Sequence, residues 1–125
     1  MTYQLIPAYD HIEKVRALFT EYVVWLGLSL DFQNYEDELS HLPGKYVPPL
    51  GQLYLLLAEE RIAGCVALRP FDTTPEGSRR CEMKRLFVRK KFRGQGFGRL
   101  LAQHIIERAR TLGYDEMLLD TFASM

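Results

Sequence analysis

Apolar residues recur along the chain with two different spacings, and the first of them is helical. In the N-terminal part they repeat every three to four residues, which predicts a helix that begins at Asp10 and ends at Gly27. Glu13 stands three residues after Asp10, as in a capping box. A short strand over residues 3–6 precedes this helix, and a second helix is predicted over residues 31–42, before a loop rich in proline and glycine.

Beyond this loop the pattern becomes typical of strands. Glu59 and Glu60 separate two apolar runs and predict a hairpin, and a basic loop over residues 89–96 separates a further strand from an amphipathic helix. The last strand, helix and strand form a crossover unit, so its two strands should be parallel while the others are antiparallel. The predicted elements of this half are strands over residues 52–58, 61–69 and 81–88, a helix over residues 97–112 and a strand over residues 117–121.

These elements predict a mixed α/β sheet with helices on both faces, in the order β-α-α-β-β-β-α-β and in a single domain, residues 1–125. The hydrophobic share of 47% suits a core that needs neither disulfides nor metals. Cys65 and Cys81 form no CxxC pair and have no nearby His at metal-ligand spacing, so we expect two reduced, buried strand residues. No apolar run reaches membrane-spanning length and no signal peptide is visible, so we expect a cytoplasmic protein.

The formal charges cancel, with 16 Lys and Arg against 16 Asp and Glu. A zero total argues against a polycation that wraps nucleic acid and against a disordered charged tail. However, residues 1–60 hold nine acids and three bases, net −6, whereas residues 61–125 hold thirteen bases and seven acids, net +6. Nine of those bases lie between Arg79 and Arg99, so this stretch needs an explanation.

Three alternating glycines, Gly94, Gly96 and Gly98, lie between a predicted strand and a predicted helix. Glycine tolerates positive φ, so the backbone here can curl and approach a ligand closely. Amides at a helix N-terminus, together with the helix dipole, favour an anion. Arg93 and Arg99 add donors suited to phosphate, so the segment predicts a diphosphate site.

Several alternatives compete with this interpretation. A dinucleotide fingerprint would need Gly at the positions of Arg99 or Leu101, and the Gly-Lys-Ser/Thr ending of a Walker loop is absent. A glycine-rich turn with no ligand remains possible for the glycines alone. A nucleic-acid binder is the weaker alternative, because no array of aromatic residues surrounds the basic stretch.

The segment Arg93-Gly94-Gln95-Gly96-Phe97-Gly98 resembles the R/Q-x-x-G-x-G/A motif of the GNAT superfamily of N-acetyltransferases. The preceding residues 82–88 resemble the fourth strand of that family, and the resemblance covers nearly the whole chain. It implies acetyl-CoA as co-substrate, with no metal, and direct attack by a primary amine of a small molecule or peptide. The residues implied in cofactor binding are Leu86, Phe87, Val88, Arg93, Gly94, Gln95, Gly96, Phe97, Gly98 and Arg99.

The resemblance also assigns parts of the chemistry. Residues 86–88 would offer backbone groups to the pantetheine arm between splayed fourth and fifth strands, and an amide near Phe87 or Val88 would stabilise the oxyanion. Glu82 lies eleven residues before Arg93, at the position of the general base in family members that use a glutamate on this strand. The alternative for Glu82 is a structural ion pair with Lys84 or Arg80.

The family normally continues past the fifth strand with a helix and a β-hairpin, whereas the sequence ends at Met125. No residue can be assigned as the acid that protonates the thiolate, and Tyr114 is expected to pack. We therefore expect an exposed edge strand and self-association, with a dimer as the simplest form. A non-catalytic acyl-CoA-binding or interaction module is the alternative function.

The remaining candidates are interpreted structurally. Isolated histidines and a cysteine without a histidine partner carry no site, and an acidic stretch on a helix is most often solvated. We expect core packing for two aromatic residues of the first helix, although that helix borders the acceptor in GNAT proteins. These residues are His11, His41 and His104; Cys81; Glu36, Asp37 and Glu38; and Tyr22 and Trp25.

Overall fold

A five-stranded mixed sheet organises the chain in a computed structural model, which describes residues 2–26 and 32–119. The strands follow in sequence order across the sheet; β1 to β4 are antiparallel neighbours, and β5 runs parallel to β4. The elements are β1 (Tyr3–Pro7), α1 (Ile12–Leu26), α2 (Phe32–Ser40), β2 (Gln52–Ala58), β3 (Arg61–Thr73), β4 (Arg79–Val88), α3 (Phe97–Thr111) and β5 (Glu116–Leu119).

Helices cover both faces of the sheet, because apolar residues alternate along its strands. On one face, α1 packs Leu18 and Phe19 against Leu53 and Leu55 of β2. On the other face α3 buries a row of side chains at helical spacing: Phe97, Leu101, Ile105 and Ala109. The predicted fold class and element order are confirmed.

The strand β4 contains a bulge at Arg85, whose φ is +59°. Cys65 of β3 faces Phe87 and Ala67 faces Lys84, so between these two pairs β4 contains one residue more than β3. Because of the bulge, odd-numbered residues after Arg85 face the opposite side of the sheet from odd-numbered residues before it. Cys81 therefore packs with α3, whereas Phe87 packs with α1.

Some predicted boundaries need correction. The first helical segment begins earlier than Asp10, as a 3₁₀ turn over Tyr9–His11 whose N-cap is Ala8, and Glu13 instead accepts a hydrogen bond from Arg16. The strand β3 continues beyond residue 69, through Pro70, which pairs with Cys81 where a register shift begins. The predicted end of β5 at residues 120–121 lies outside the described residues.

Candidate active site

The loop between β4 and α3 has the backbone shape that its glycines predict. Gly94 and Gly96 take positive φ values of +81° and +82°, where a side chain would be strained. Gly96 is the N-cap of α3, and no side chain in the described part of the chain forms a capping bond there, so the first-turn amides are not satisfied in that way. The segment therefore presents donors and the positive end of a helix dipole.

A groove of about 300 Å³ lies beside this loop. It brings together most of the residues predicted to bind the cofactor, with the backbone of β4 on one side and the glycines on the other. Gln95 and Arg99 belong to the same segment and are exposed, but they are not part of the groove lining. The lining residues are Trp25, Leu86, Phe87, Val88, Phe92, Arg93, Gly94, Gly96, Phe97 and Gly98.

Trp25 is a groove residue, whereas the sequence analysis favoured core packing for it and left a place beside the acceptor as the alternative. Its side chain is 42% exposed, and the Arg93 guanidinium carbon lies 4.8 Å from the centre of its ring. It stands three residues after the buried Tyr22, so the same helix turn continues from the core to the groove. The signals in the sequence were an aromatic residue at the end of the apolar stripe of α1 and the family resemblance, which places this helix beside the acceptor.

Glu82 lies in the middle of β4 and is only 7% exposed. The Arg69 Nε donates to Glu82 Oε1 at 2.9 Å, and Lys84 Nζ lies 3.9 Å from Oε2. Arg69 faces Glu82 across the β3–β4 ladder, which places both side chains on the α1 and α2 side of the sheet. The predicted alternative partner Lys84 is therefore present, whereas Arg80 pairs with Asp72.

Several bases of the stretch from Arg79 to Arg99 serve the fold. Arg79 donates to the carbonyls of Leu112 and Gly113 at the end of α3. Arg89 pairs with Glu21 through bonds of 3.0 and 2.7 Å, so it ties β4 to α1 and does not face the loop. Lys90, Lys91, Arg93 and Arg99 are the exposed bases of the loop itself.

Glu38 departs from the prediction of a solvated acidic face. Arg85 Nε and Nη2 donate to its two carboxylate oxygens, each at 2.8 Å. The Tyr46 hydroxyl donates to Oε1 at 3.2 Å, and burial raises the pKa of this tyrosine far above its usual value. Glu36 and Asp37 are exposed as predicted. Glu38 therefore holds α2 against the bulge of β4.

The other candidate nucleophiles and acids have structural roles. Cys65 and Cys81 are free and buried, and burial raises their thiol pKa values to about 12 and about 11, which disfavours the reactive thiolate. Tyr114 packs under the Arg79 guanidinium and donates to the Leu50 carbonyl, as its assignment to packing predicted. His11 and His41 are exposed, and the His104 ring packs edge to face with that of Tyr54.

Acetyl-CoA fits the chemistry of this groove. An added Cβ would meet no atom within 4 Å at Gly94 or Gly96, so the loop is open on the side where a diphosphate would approach. Its donors are backbone amides and guanidinium groups, which suit phosphate oxygens. Residues 86–88 supply an adjoining stretch of strand for an amide-containing arm.

Residues 2–26 and 32–119 contain neither a cluster placed to hold a metal ion nor a membrane-spanning helix. Within those ranges no group of three or more His, Cys, Asp or Glu side chains is placed to hold a metal ion. No helix in the same ranges is both long and apolar enough to cross a membrane.

Relatives share this sequence and fold. The profile of the Acetyltransferase (GNAT) family matches residues 12–124. An uncharacterized N-acetyltransferase of Schizosaccharomyces pombe is 41% identical over 91% of this chain and 68% of its own length. One from Dictyostelium discoideum is 29% identical over the whole chain and 84% of its own length.

Human N-acetyltransferase 8 is 29% identical over 78% of this chain, and the match spans 46% of that protein. Among solved structures, a predicted acetyltransferase with acetyl-CoA from Clostridium acetobutylicum superposes with a TM-score of 0.78 at 12% identity, over 98% of this chain and 82% of that one. The chain belongs to the GNAT family of acetyltransferases.

Proposed function

We propose that the protein transfers the acetyl group of acetyl-CoA to a primary amine of a small molecule or peptide by direct attack. The observation that carries this proposal is the glycine loop at the N-terminus of α3, beside the strand that also holds Glu82. The names of two relatives support an amine acceptor, because both are called N-acetyltransferases.

The loop and the end of β4 would hold the co-substrate. Amides of residues 93–99 would bind the diphosphate, with the exposed side chains of Arg93 and Arg99 supplying charge. Backbone groups of Leu86, Phe87 and Val88 would pair with the pantetheine arm, as an added strand does at a sheet edge. An amide near Phe87 or Val88 would stabilise the negative charge that forms on the thioester oxygen.

Glu82 would act as the general base. The acceptor reaches the site as an ammonium, and the Glu82 carboxylate takes one proton from it, directly or through a water. The amine nitrogen then forms the C–N bond and the C–S bond breaks, and the departing CoA thiolate takes up the second proton that the nitrogen loses, directly or through a water. Arg69 and Lys84 compensate the charge of this buried carboxylate and fix its orientation.

A thiol-release assay with pooled amines, combined with calorimetry of CoA binding, tests this proposal. We expect Glu82→Gln to lower kcat/KM about 10²–10⁴-fold and to remove the limb of the pH–rate profile that reports the base. CoA affinity should change by less than about twofold, because Glu82 is not among the groove residues. The matched control is Glu76→Gln, an exposed loop glutamate, which should leave all three quantities unchanged.

The outcomes separate the two candidate functions. Turnover with an unchanged rate and pH profile in Glu82→Gln would show that Glu82 is only a structural partner of Arg69. CoA binding without thiol release for any amine would instead identify a non-catalytic acyl-CoA-binding module. Absence of CoA binding at millimolar concentration would contradict the assignment of the loop.

A further inference from the structure

Four side chains lie together on the side of the β3–β4 hairpin that carries Glu82. Arg69 faces Glu82 across the ladder, and Arg80 shares its face of β4 because it stands two positions earlier. The guanidinium carbons of Arg69 and Arg80 lie 5.5 Å and 5.2 Å from the centre of the Phe71 ring. These contacts place an aromatic ring and two guanidinium groups beside the proposed base.

The cluster opens to solvent with distance from Glu82. The side chain of Glu82 is 9% exposed and that of Arg69 is 22% exposed, whereas Phe71 is 42% exposed. A ligand that approaches Glu82 along this side of the hairpin therefore meets the Phe71 ring and the Arg69 guanidinium.

The Arg69 guanidinium has donors to spare. Its Nε donates to Glu82 Oε1 at 2.9 Å and its Nη1 to the Pro70 carbonyl oxygen at 3.4 Å, whereas its Nη2 has no hydrogen-bond partner in the described part of the chain. In contrast, Arg80 gives Nε and Nη2 to the two carboxylate oxygens of Asp72, each at 2.6 Å. Arg69 is therefore the guanidinium of this cluster that can bind a ligand carboxylate.

The charges around Glu82 favour an acceptor that carries its own carboxylate. Lys84 Nζ lies 3.9 Å from Glu82 Oε2, so two cations already flank the base. An ammonium with no other charge adds a third cation there, and like charges oppose its binding. A zwitterion instead pairs its carboxylate with Arg69 while its ammonium pairs with Glu82, so the two neighbouring charges of the protein complement those of an α-amino acid.

We propose that the acceptor is a free α-amino acid with an apolar side chain, whose carboxylate binds Arg69 and whose side chain contacts Phe71. The inference rests on the proposed function and narrows its acceptor. Glu82 takes one proton from the ammonium, the nitrogen bonds to the acetyl carbon, and the C–S bond of acetyl-CoA breaks. The thiolate takes the second proton of the nitrogen, and the products are an N-acetyl amino acid and CoA.

A thiol-release assay with acetyl-CoA compares L-phenylalanine with L-phenylalaninamide, which keeps the amine and the ring but lacks the carboxylate. For the wild type we expect kcat/KM to be at least about tenfold higher for the acid, because only the acid pairs with Arg69. Arg69→Gln should reduce this ratio to about one, even where the loss of a Glu82 partner lowers both rates. The matched control Arg110→Gln, at an exposed arginine of α3, should keep the ratio within about twofold.

A second ratio reports the contact with the ring. The preference for L-phenylalanine over L-alanine, measured as a ratio of kcat/KM values, should fall at least about threefold in Phe71→Ala. An unchanged preference would show that Phe71 does not contact the acceptor side chain.

The outcomes distinguish this inference from the proposed function. Equal kcat/KM for the acid and the amide in the wild type would overturn the inference and leave acetyl transfer to an amine intact, and this comparison needs no variant to fold. A folded Arg69→Gln that keeps the preference would overturn the role of Arg69. No thiol release with any amine would overturn both.

Discussion

The surroundings of His104, on α3, lower the pKa of its imidazole. Its ring centre lies 4.2 Å from that of Tyr54, and its Nε2 is buried with no hydrogen-bond partner among residues 2–26 and 32–119. Burial lowers its pKa below the usual value of 6.5, and the nearby Arg108 guanidinium lowers it further. The folded state therefore binds a proton here less readily than the unfolded state does.

This difference predicts a pH dependence of stability. The pKa of His104 is lower in the folded state than in the unfolded state. Its contribution to the free energy of unfolding is therefore complete above pH 6.5 and is lost as the pH falls below that value. In urea titrations from pH 7.5 to 5, His104→Gln should lose less unfolding free energy than the wild type. The substitution His11→Gln, at an exposed histidine, serves as the control. An equal change in unfolding free energy with pH in all three proteins would contradict the assignment to His104.

Glu82 shows how far single residues could be predicted. Its position eleven residues before Arg93 and the family resemblance identified it as a candidate, and that argument needed no structure. Its principal partner, Arg69, lies thirteen residues away and was not predicted, because the pairing depends on the antiparallel register of β3 and β4. Trp25 and Arg93 are 68 positions apart in sequence and meet for a similar tertiary reason.

At the level of elements, the glycines of the β4–α3 segment differ in how strictly the backbone requires glycine. Gly96 has a φ of +82°, so a side chain there is strained by about 1–3 kcal/mol. Gly98 lies in the first turn of α3, and a Cβ there would only reach ordinary contact, 3.9 Å from Val88 Cγ2. The family motif likewise allows alanine at the last of these positions.

Two alanine substitutions test this difference. Gly96→Ala should distort the loop amides and weaken CoA binding at least about tenfold, whereas Gly98→Ala should keep the affinity within about twofold. Calorimetry on both variants, with circular dichroism to confirm folding, makes the comparison. Equal losses in the two variants would show that the loop binds CoA by some means other than this backbone shape.

The bulge in β4 is an element-level feature that the sequence could have indicated. Buried or partly buried apolar residues that face α3 occupy odd positions, Cys81 and Met83, before the bulge and even positions, Leu86 and Val88, after it. A strand without a bulge cannot keep both pairs on one face, because its side chains alternate strictly. The positive φ of Arg85 had no such signal, since arginine rarely adopts it.

On the scale of the whole molecule, the opposite charges of the two halves pair across the fold. Glu21 and Glu38 come from the acidic half and bind Arg89 and Arg85 of the basic half. These contacts join α1 and α2 to β4. The charge split therefore has two uses, since the exposed bases near Arg93 remain for an anion while others hold the helices on the sheet.

The Glu38–Arg85 pair provides a test of this interpretation. Its side chains are only 24% and 11% exposed, so removing the carboxylate leaves a guanidinium poorly solvated. Glu38→Ala should lower the free energy of unfolding by about 1.5–3 kcal/mol in urea titrations. Glu36→Ala, on the exposed face of the same helix, should change it by less than about 0.5 kcal/mol. Similar losses in both variants would contradict a stabilising role of the pair.

Self-association stays a prediction at this scale. β5 is the last strand in the sheet order, and Leu119 at its end is 60% exposed. An apolar side chain on a terminal strand favours pairing with a second copy. Sedimentation over a wide range of protein concentration should show a rising average mass, and a constant monomer mass would contradict the prediction.

The sequence by itself determined the order of elements, the two-sided packing and the glycine loop, because each depends on local periodicity or on a contiguous motif. Only the tertiary structure decided which charges pair, that Arg85 adopts a positive φ and that Trp25 reaches Arg93. Those features depend on contacts between residues that are distant along the chain. Strand register and helix packing determine which of these residues meet. A one-dimensional pattern carries no information on which of several arginines will meet a given carboxylate.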